Sequence, residues 1–82
     1  MLTGMQIRSA RAALRLSVEQ LAAMSGVSAR TIKRMEVEDG VPQSNRPNIE
    51  AVLVALQTAG IEFIGTPHDG PGIRLRRSVA SA

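Results

Sequence analysis

The segment from Ser17 to Glu36 constrains this chain more than any other. It holds two short helical patterns on either side of Gly26. Ser17 and Gln20 have capping-box spacing and open a helix over about 18–24, with Val18, Leu21 and Ala22 as its buried stripe. Ser25-Gly26-Val27 then makes a turn in which Gly26 is expected at positive φ, a conformation that only glycine adopts without steric cost. Ser28 caps a second helix through about Glu36, its hydroxyl placed to accept from the Thr31 amide. Val27, Ile32 and Met35 point inward, leaving Ala29, Arg30, Lys33 and Arg34 outward. A short cationic helix braced by an apolar one has the shape and charge to enter a DNA major groove.

The rest of the chain builds a support for that pair. Thr3 and Gln6 predict another capping box and a helix whose inner face carries Ile7, Ala10 and Leu14, with Arg8 and Arg15 off it. Residues 37–46, with Asp39-Gly40 and Pro42, read as a loop. A fourth helix starts near Pro47, buries Ile49, Val52, Leu53 and Leu56, and ends at Gly60. The period then changes to alternation in Ile61-Glu62-Phe63-Ile64 and Ile73-Arg74-Leu75-Arg76, which predicts an antiparallel hairpin with a long turn over 65–72. An isolated hairpin is marginal in water, so it must lie on its own helices or pair with a second subunit.

Eighty-two residues suit one small domain, with no cysteine for disulfides or a thiolate zinc site. The expected division is 1–60 as the helical DNA-binding unit, 61–77 as a hairpin for packing or dimerisation, and 78–82 as a disordered tail. The net charge of +3 is unevenly spread. Residues 1–37 carry Arg8, Arg11, Arg15, Arg30, Lys33 and Arg34 against Glu19 and Glu36, a balance of +4. Residues 38–72 carry Arg46 against Glu38, Asp39, Glu50, Glu62 and Asp69, a balance of −4, and residues 73–82 add +3 through Arg74, Arg76 and Arg77. Such segregation points to a basic surface facing a polyanion. The C-terminal arginines fit contacts with flanking DNA or protection of an exposed strand edge equally well.

Other classes find little support. His68 is the sole histidine, in a Pro-Gly turn beside Asp69, so neither general-base chemistry nor metal ligation has its partners. Gly70-Pro71-Gly72 lacks the lysine and the strand-loop-helix setting of a phosphate cradle. Phe63 is the one aromatic residue and is expected to be buried, which argues against base-stacking readers of RNA or single strands. The apolar run from Ala51 to Leu56 is far shorter than the roughly 20 residues that span a bilayer. No enzyme activity, cofactor, metal, membrane association or small-molecule effector is expected.

Ile7-Arg8-Ser9-Ala10-Arg11, Leu21-Ala22, Gly26-Val27-Ser28, Thr31-Ile32 and Met35-Glu36 together resemble the lambda-repressor/Cro-type (Xre-type) helix-turn-helix family of transcriptional regulators. The tail, Ala59 to Ile64 and Gly70 to Arg76, is similar to a compact bacterial subgroup with an extra hairpin. The resemblance implies a mainly α fold: a lambda-repressor-like bundle of four to five helices plus a C-terminal two-stranded β-hairpin. It implies sequence-specific binding of double-stranded DNA by a cytoplasmic homodimer, in most relatives as a repressor. By the same resemblance Ser28, Ala29, Arg30 and Arg34 read bases, and Ser17 abuts a phosphate. Lys33 on the flank, and Ser44, Asn45 and Arg46 with Asn48 after the loop, are the further backbone candidates. Arg11 and Glu36 match a structural ion pair. Val18 stands where many members have a phosphate-anchoring glutamine, and the loop after Glu36 is longer and acidic, so it is expected to turn away from the duplex. The alternative is a protein-interaction adaptor or antitoxin in which the domain binds a protein partner.

Overall fold

The computed structural model describes residues 2–76. Four helices and one hairpin follow in order: α1 (Gly4–Leu14), α2 (Val18–Ser25), α3 (Ala29–Val37), α4 (Arg46–Thr58), β1 (Ile61–Thr66) and β2 (Asp69–Leu75). The expected fold class is therefore present, with four helices among the described residues. Arg77 and the tail over 78–82 lie outside them.

Each helix starts where a short polar side chain satisfies its free amides. Thr3 and Ser17 form reciprocal capping boxes with Gln6 and Gln20, and Ser28 and Asn45 accept from the amides of Thr31 and Asn48. Asn45 moves the start of α4 one residue ahead of Pro47, which sits in the first turn where its missing N–H costs nothing. Gly26 closes α2 at φ 75, as its place in the turn requires. Arg15 closes α1 at φ 57, and among the described residues no other non-glycine has a positive φ.

Ile7, Ala10, Leu21, Val27, Ile32, Met35, Val52 and Leu56 meet in one core, joined by Leu2, Ile49 and Ile61. Leu14, Val18, Ala22 and Leu53 pack at its margin, half-buried. Both ends of α1 are tied down by tertiary contacts. Its first amides, Gly4 and Met5, donate to the Gly40 and Asp39 carbonyls, so the acidic loop docks on the start of α1. At Gly4 a methyl group would overlap the carbonyl oxygens of Glu38 and Met35. Only glycine allows that approach.

The hairpin is tighter than its sequence suggests. β1 and β2 pair from Ile61 opposite Leu75 to Thr66 opposite Asp69, leaving Pro67-His68 as the turn in place of eight residues. The expected long turn is corrected by two glycines at positive φ, Gly65 at 77 and Gly70 at 62, which absorb a register shift between Ile64 and Thr66. The missed signal was these glycines, which interrupt the alternation without ending the strands.

The hairpin lies on its own helices, β2 against α1 and β1 against α4. Gln6 joins the two parts. Its Oε1 accepts from the amide and hydroxyl of Thr3 at 2.9 and 3.1 Å, while Nε2 donates to the carbonyls of Ile64 and Gly72 at 3.2 and 2.9 Å. Thr3 and Gln6 are buried polar residues whose bonds are all met within this network. Ile61 is buried, whereas Phe63 is half-buried, a partial correction to its expected place in the core.

Candidate nucleic-acid interface

Of the four helices, α3 divides its faces most sharply. Ile32 and Met35 are fully buried and Glu36 nearly so, while Arg30, Lys33 and Arg34 are exposed. Arg30 and Arg34, four residues apart, share one face, and Val37 extends it at 81% exposure. Ala29 is half-buried at the start of the helix. Among the described residues neither Arg30 nor Arg34 has an ion-pair partner, so both guanidinium forks face solvent with their donors free.

The orientation of α3 is held from behind. Arg11 Nε and Nη2 donate to the two carboxylate oxygens of Glu36, each at 2.9 Å, the bidentate geometry that fixes angle as well as distance. Arg11 Nη1 also reaches the Leu16 carbonyl at 3.1 Å, so one guanidinium joins α1, α3 and the link into α2. The hydrogen bond to Glu36 raises the Arg11 pKa above the ordinary guanidinium value, against the opposing effect of burial. Stability from that shift is complete below the ordinary value and is lost as pH rises from there through the raised one.

Arg8 is a second brace. It donates to the Glu36 carbonyl and pairs with Asp39 on the loop. Counting Arg8 as part of a free basic surface is thus corrected: its charge is spent holding the end of α3 and the loop to α1. Glu38 remains exposed on that loop.

The remaining sequence-derived residues occupy two other places. Ser17 caps α2 with its oxygen accepting from Gln20 at 3.0 Å, and Glu19 in the next turn comes within 3.8 Å of Lys33. The first turn of α2 therefore lies alongside the outer face of α3. Ser44, Asn45 and Arg46 gather at the start of α4, where Asn45 Oδ1 is occupied by the Asn48 amide at 2.9 Å and Arg46 is exposed. Ser28 is similarly engaged: its oxygen accepts from the Thr31 amide and its hydroxyl donates to Thr31 Oγ1 at 2.9 Å. The cap itself follows from the spacing; the second bond, to Thr31 Oγ1, does not.

On the hairpin, Arg74 and Arg76 both approach Glu62, at 3.4 and 3.7 Å. Among the described residues there is no cluster of three or more metal-ligating side chains, and no helix is long and apolar enough to cross a membrane.

No curated protein matches the chain. The sequence pattern described as Helix-turn-helix matches residues 7–53, more than half of the 82 residues, and those bounds take in α1 from Ile7 on, the α2-turn-α3 unit with its exposed cations, and α4 as far as Leu53. The match falls on the elements that carry and brace the cationic helix, and the chain belongs to the lambda-repressor/Cro-like helix-turn-helix family of DNA-binding transcription regulators.

Proposed function

We propose that the protein is a sequence-specific reader of double-stranded DNA, acting in the cytoplasm as a homodimeric transcriptional repressor with α3 in the major groove. The observation that carries this reading is the outer face of α3: Arg30 and Arg34 free and exposed, with Glu36 locking the helix from behind. Arg30 and Arg34 are the principal base readers, since an arginine fork matches guanine O6 and N7. Ala29 is sized for a thymine methyl group. Ser28 joins them only by releasing its hydroxyl from Thr31. Lys33 and the hydroxyl of Ser17 serve the backbone on one side, and Ser44, Asn45 and Arg46 on the other. A dimer doubles these contacts, with half-sites about 10 bp apart between centres.

Selection from a randomised duplex library at about 100 mM salt tests the reading, with wild type and Arg30→Ala run together. Wild type is expected to enrich a palindrome, and Arg30→Ala to lose preference at one or two positions, each worth about 1–3 kcal/mol of discrimination. A variant with the same preference as wild type sinks the assignment of Arg30.

A second reading, an adaptor or antitoxin that holds a protein partner, draws on one feature. Met24 and Val54, exposed at 45% and 54%, border an apolar groove between α2 and α4. Salt separates the two: DNA binding through ~4–6 phosphates per subunit weakens steeply as salt rises, and an apolar interface does not.

A further inference from the structure

We infer that Arg15 is a DNA-backbone contact, a clamp on the phosphate that passes the start of α2. The inference rests on the DNA-binding reading above and adds a residue to it. Arg15 ends α1 at φ 57 and ψ 40, in the left-handed region that costs an L side chain and costs glycine nothing. Glycine is the default at such a cap, and glycines occupy the other left-handed positions among the described residues. The backbone here is held from several sides. Arg15 N–H donates to the Ala12 carbonyl at 3.1 Å, Leu16 N–H to the Arg11 carbonyl at 2.9 Å, and Arg11 returns a bond to the Leu16 carbonyl at 3.1 Å. The conformation is imposed by its surroundings and would suit glycine better.

The Arg15 side chain does nothing to repay that cost within the fold. It is exposed, and no hydrogen bond or ion pair to it is present among the described residues. Its location supplies the role. Arg15 lies two residues before Ser17, and the turn that follows Ser17 is in contact with the outer face of α3 through Glu19 and Lys33. This corner leads within two residues to the α2 start that meets Lys33, on the side where the strand bordering the groove must run if α3 enters it. The Val18 side chain offers no hydrogen bond there, so the charge of Arg15 adds to the Ser17 hydroxyl and the free amides of the first turn of α2.

The test compares wild type, Arg15→Gly, Arg15→Gln and Arg15→Lys on the selected duplex, by affinity across a salt series, by phosphate-ethylation interference and by thermal melting. Arg15→Gly and Arg15→Gln are expected to bind roughly five- to tenfold more weakly per subunit at about 0.1 M salt, with the salt slope shallower by about 0.9 per subunit. Both are expected to lose sensitivity to ethylation at one phosphate per half-site, while Arg15→Lys keeps it. Arg15→Gly is expected to melt no lower than wild type, which separates the loss of binding from any loss of fold. Unchanged affinity and ethylation pattern in Arg15→Gly overturn the assignment, as does a lowered melting temperature with binding intact. A wild-type protein that selects no duplex overturns the DNA reading and this assignment with it.

Discussion

Arg8 and Arg11 on α1 carry the same charge as Arg30 and Arg34 on α3, and the fold uses the two pairs for opposite purposes. The α1 arginines are engaged by acceptors of the fold: Arg11 grips both oxygens of Glu36, and Arg8 reaches the Glu36 carbonyl and Asp39. Those on α3 face water with no protein partner among the described residues. Charge counted along a chain therefore overstates the charge presented to a polyanion. The braced pair sets where the free pair points, because Glu36 lies on the buried side of the helix that displays Arg30 and Arg34.

Breaking the brace should have the largest effect on stability. Glu36→Ala strands a partly buried guanidinium, and urea unfolding is expected to show a loss of about 3 kcal/mol. Arg34→Ala removes an exposed side chain, and the same unfolding curve should shift by less than about 0.5 kcal/mol while binding to the selected duplex falls. Equal losses from the two substitutions would erase the distinction between brace and reader.

The loop contact that accompanies the brace comes next. Gly4→Ala drives a methyl into two backbone carbonyls and should lower stability by about 2 kcal/mol, read as a fall of roughly 8–16 °C in Tm for a domain this small. Helix propensity alone gives the opposite sign, since alanine is favoured over glycine by up to about 1 kcal/mol. Gln6→Glu keeps the capping acceptors and removes the donors to Ile64 and Gly72, so about 2 kcal/mol is expected, with faster amide exchange confined to the hairpin. Gly26→Ala is the mildest of the three backbone and cap changes. Nothing lies within 4 Å of the added carbon, leaving only the cost of φ 75, about 1 kcal/mol by denaturant titration.

These positions differ in how far they could be read from the chain. The caps at Thr3, Ser17 and Ser28 were legible because each bond closes over three residues, so spacing alone implies it. The outward set of Arg30, Lys33 and Arg34 was legible for a similar reason, since helical period assigns faces once Ile32 and Met35 go inside. Gln6 was legible only as half of a cap. Its other half, the bonds to Ile64 and Gly72, spans 58 and 66 residues, and no local pattern announces them. Nothing local marks Gly4, because the carbonyls that exclude a methyl group there belong to Met35 and Glu38. The tight hairpin turn was hidden because Gly65 and Gly70 resemble loop residues, although they bend strands that go on pairing.

What the sequence determined by itself is the order of elements, the caps of the first three helices and the side of each helix that is buried. Those depend on contacts within one or two turns, where short polar residues and apolar period act without help from the rest of the chain. Only the tertiary structure decided which cations are free, why Gly4 must be glycine, and where the hairpin rests. Each of those follows from groups far apart in the chain meeting at hydrogen-bond or van der Waals distance, and such a meeting exists only after the core of Ile7, Leu21, Ile32 and Leu56 has closed.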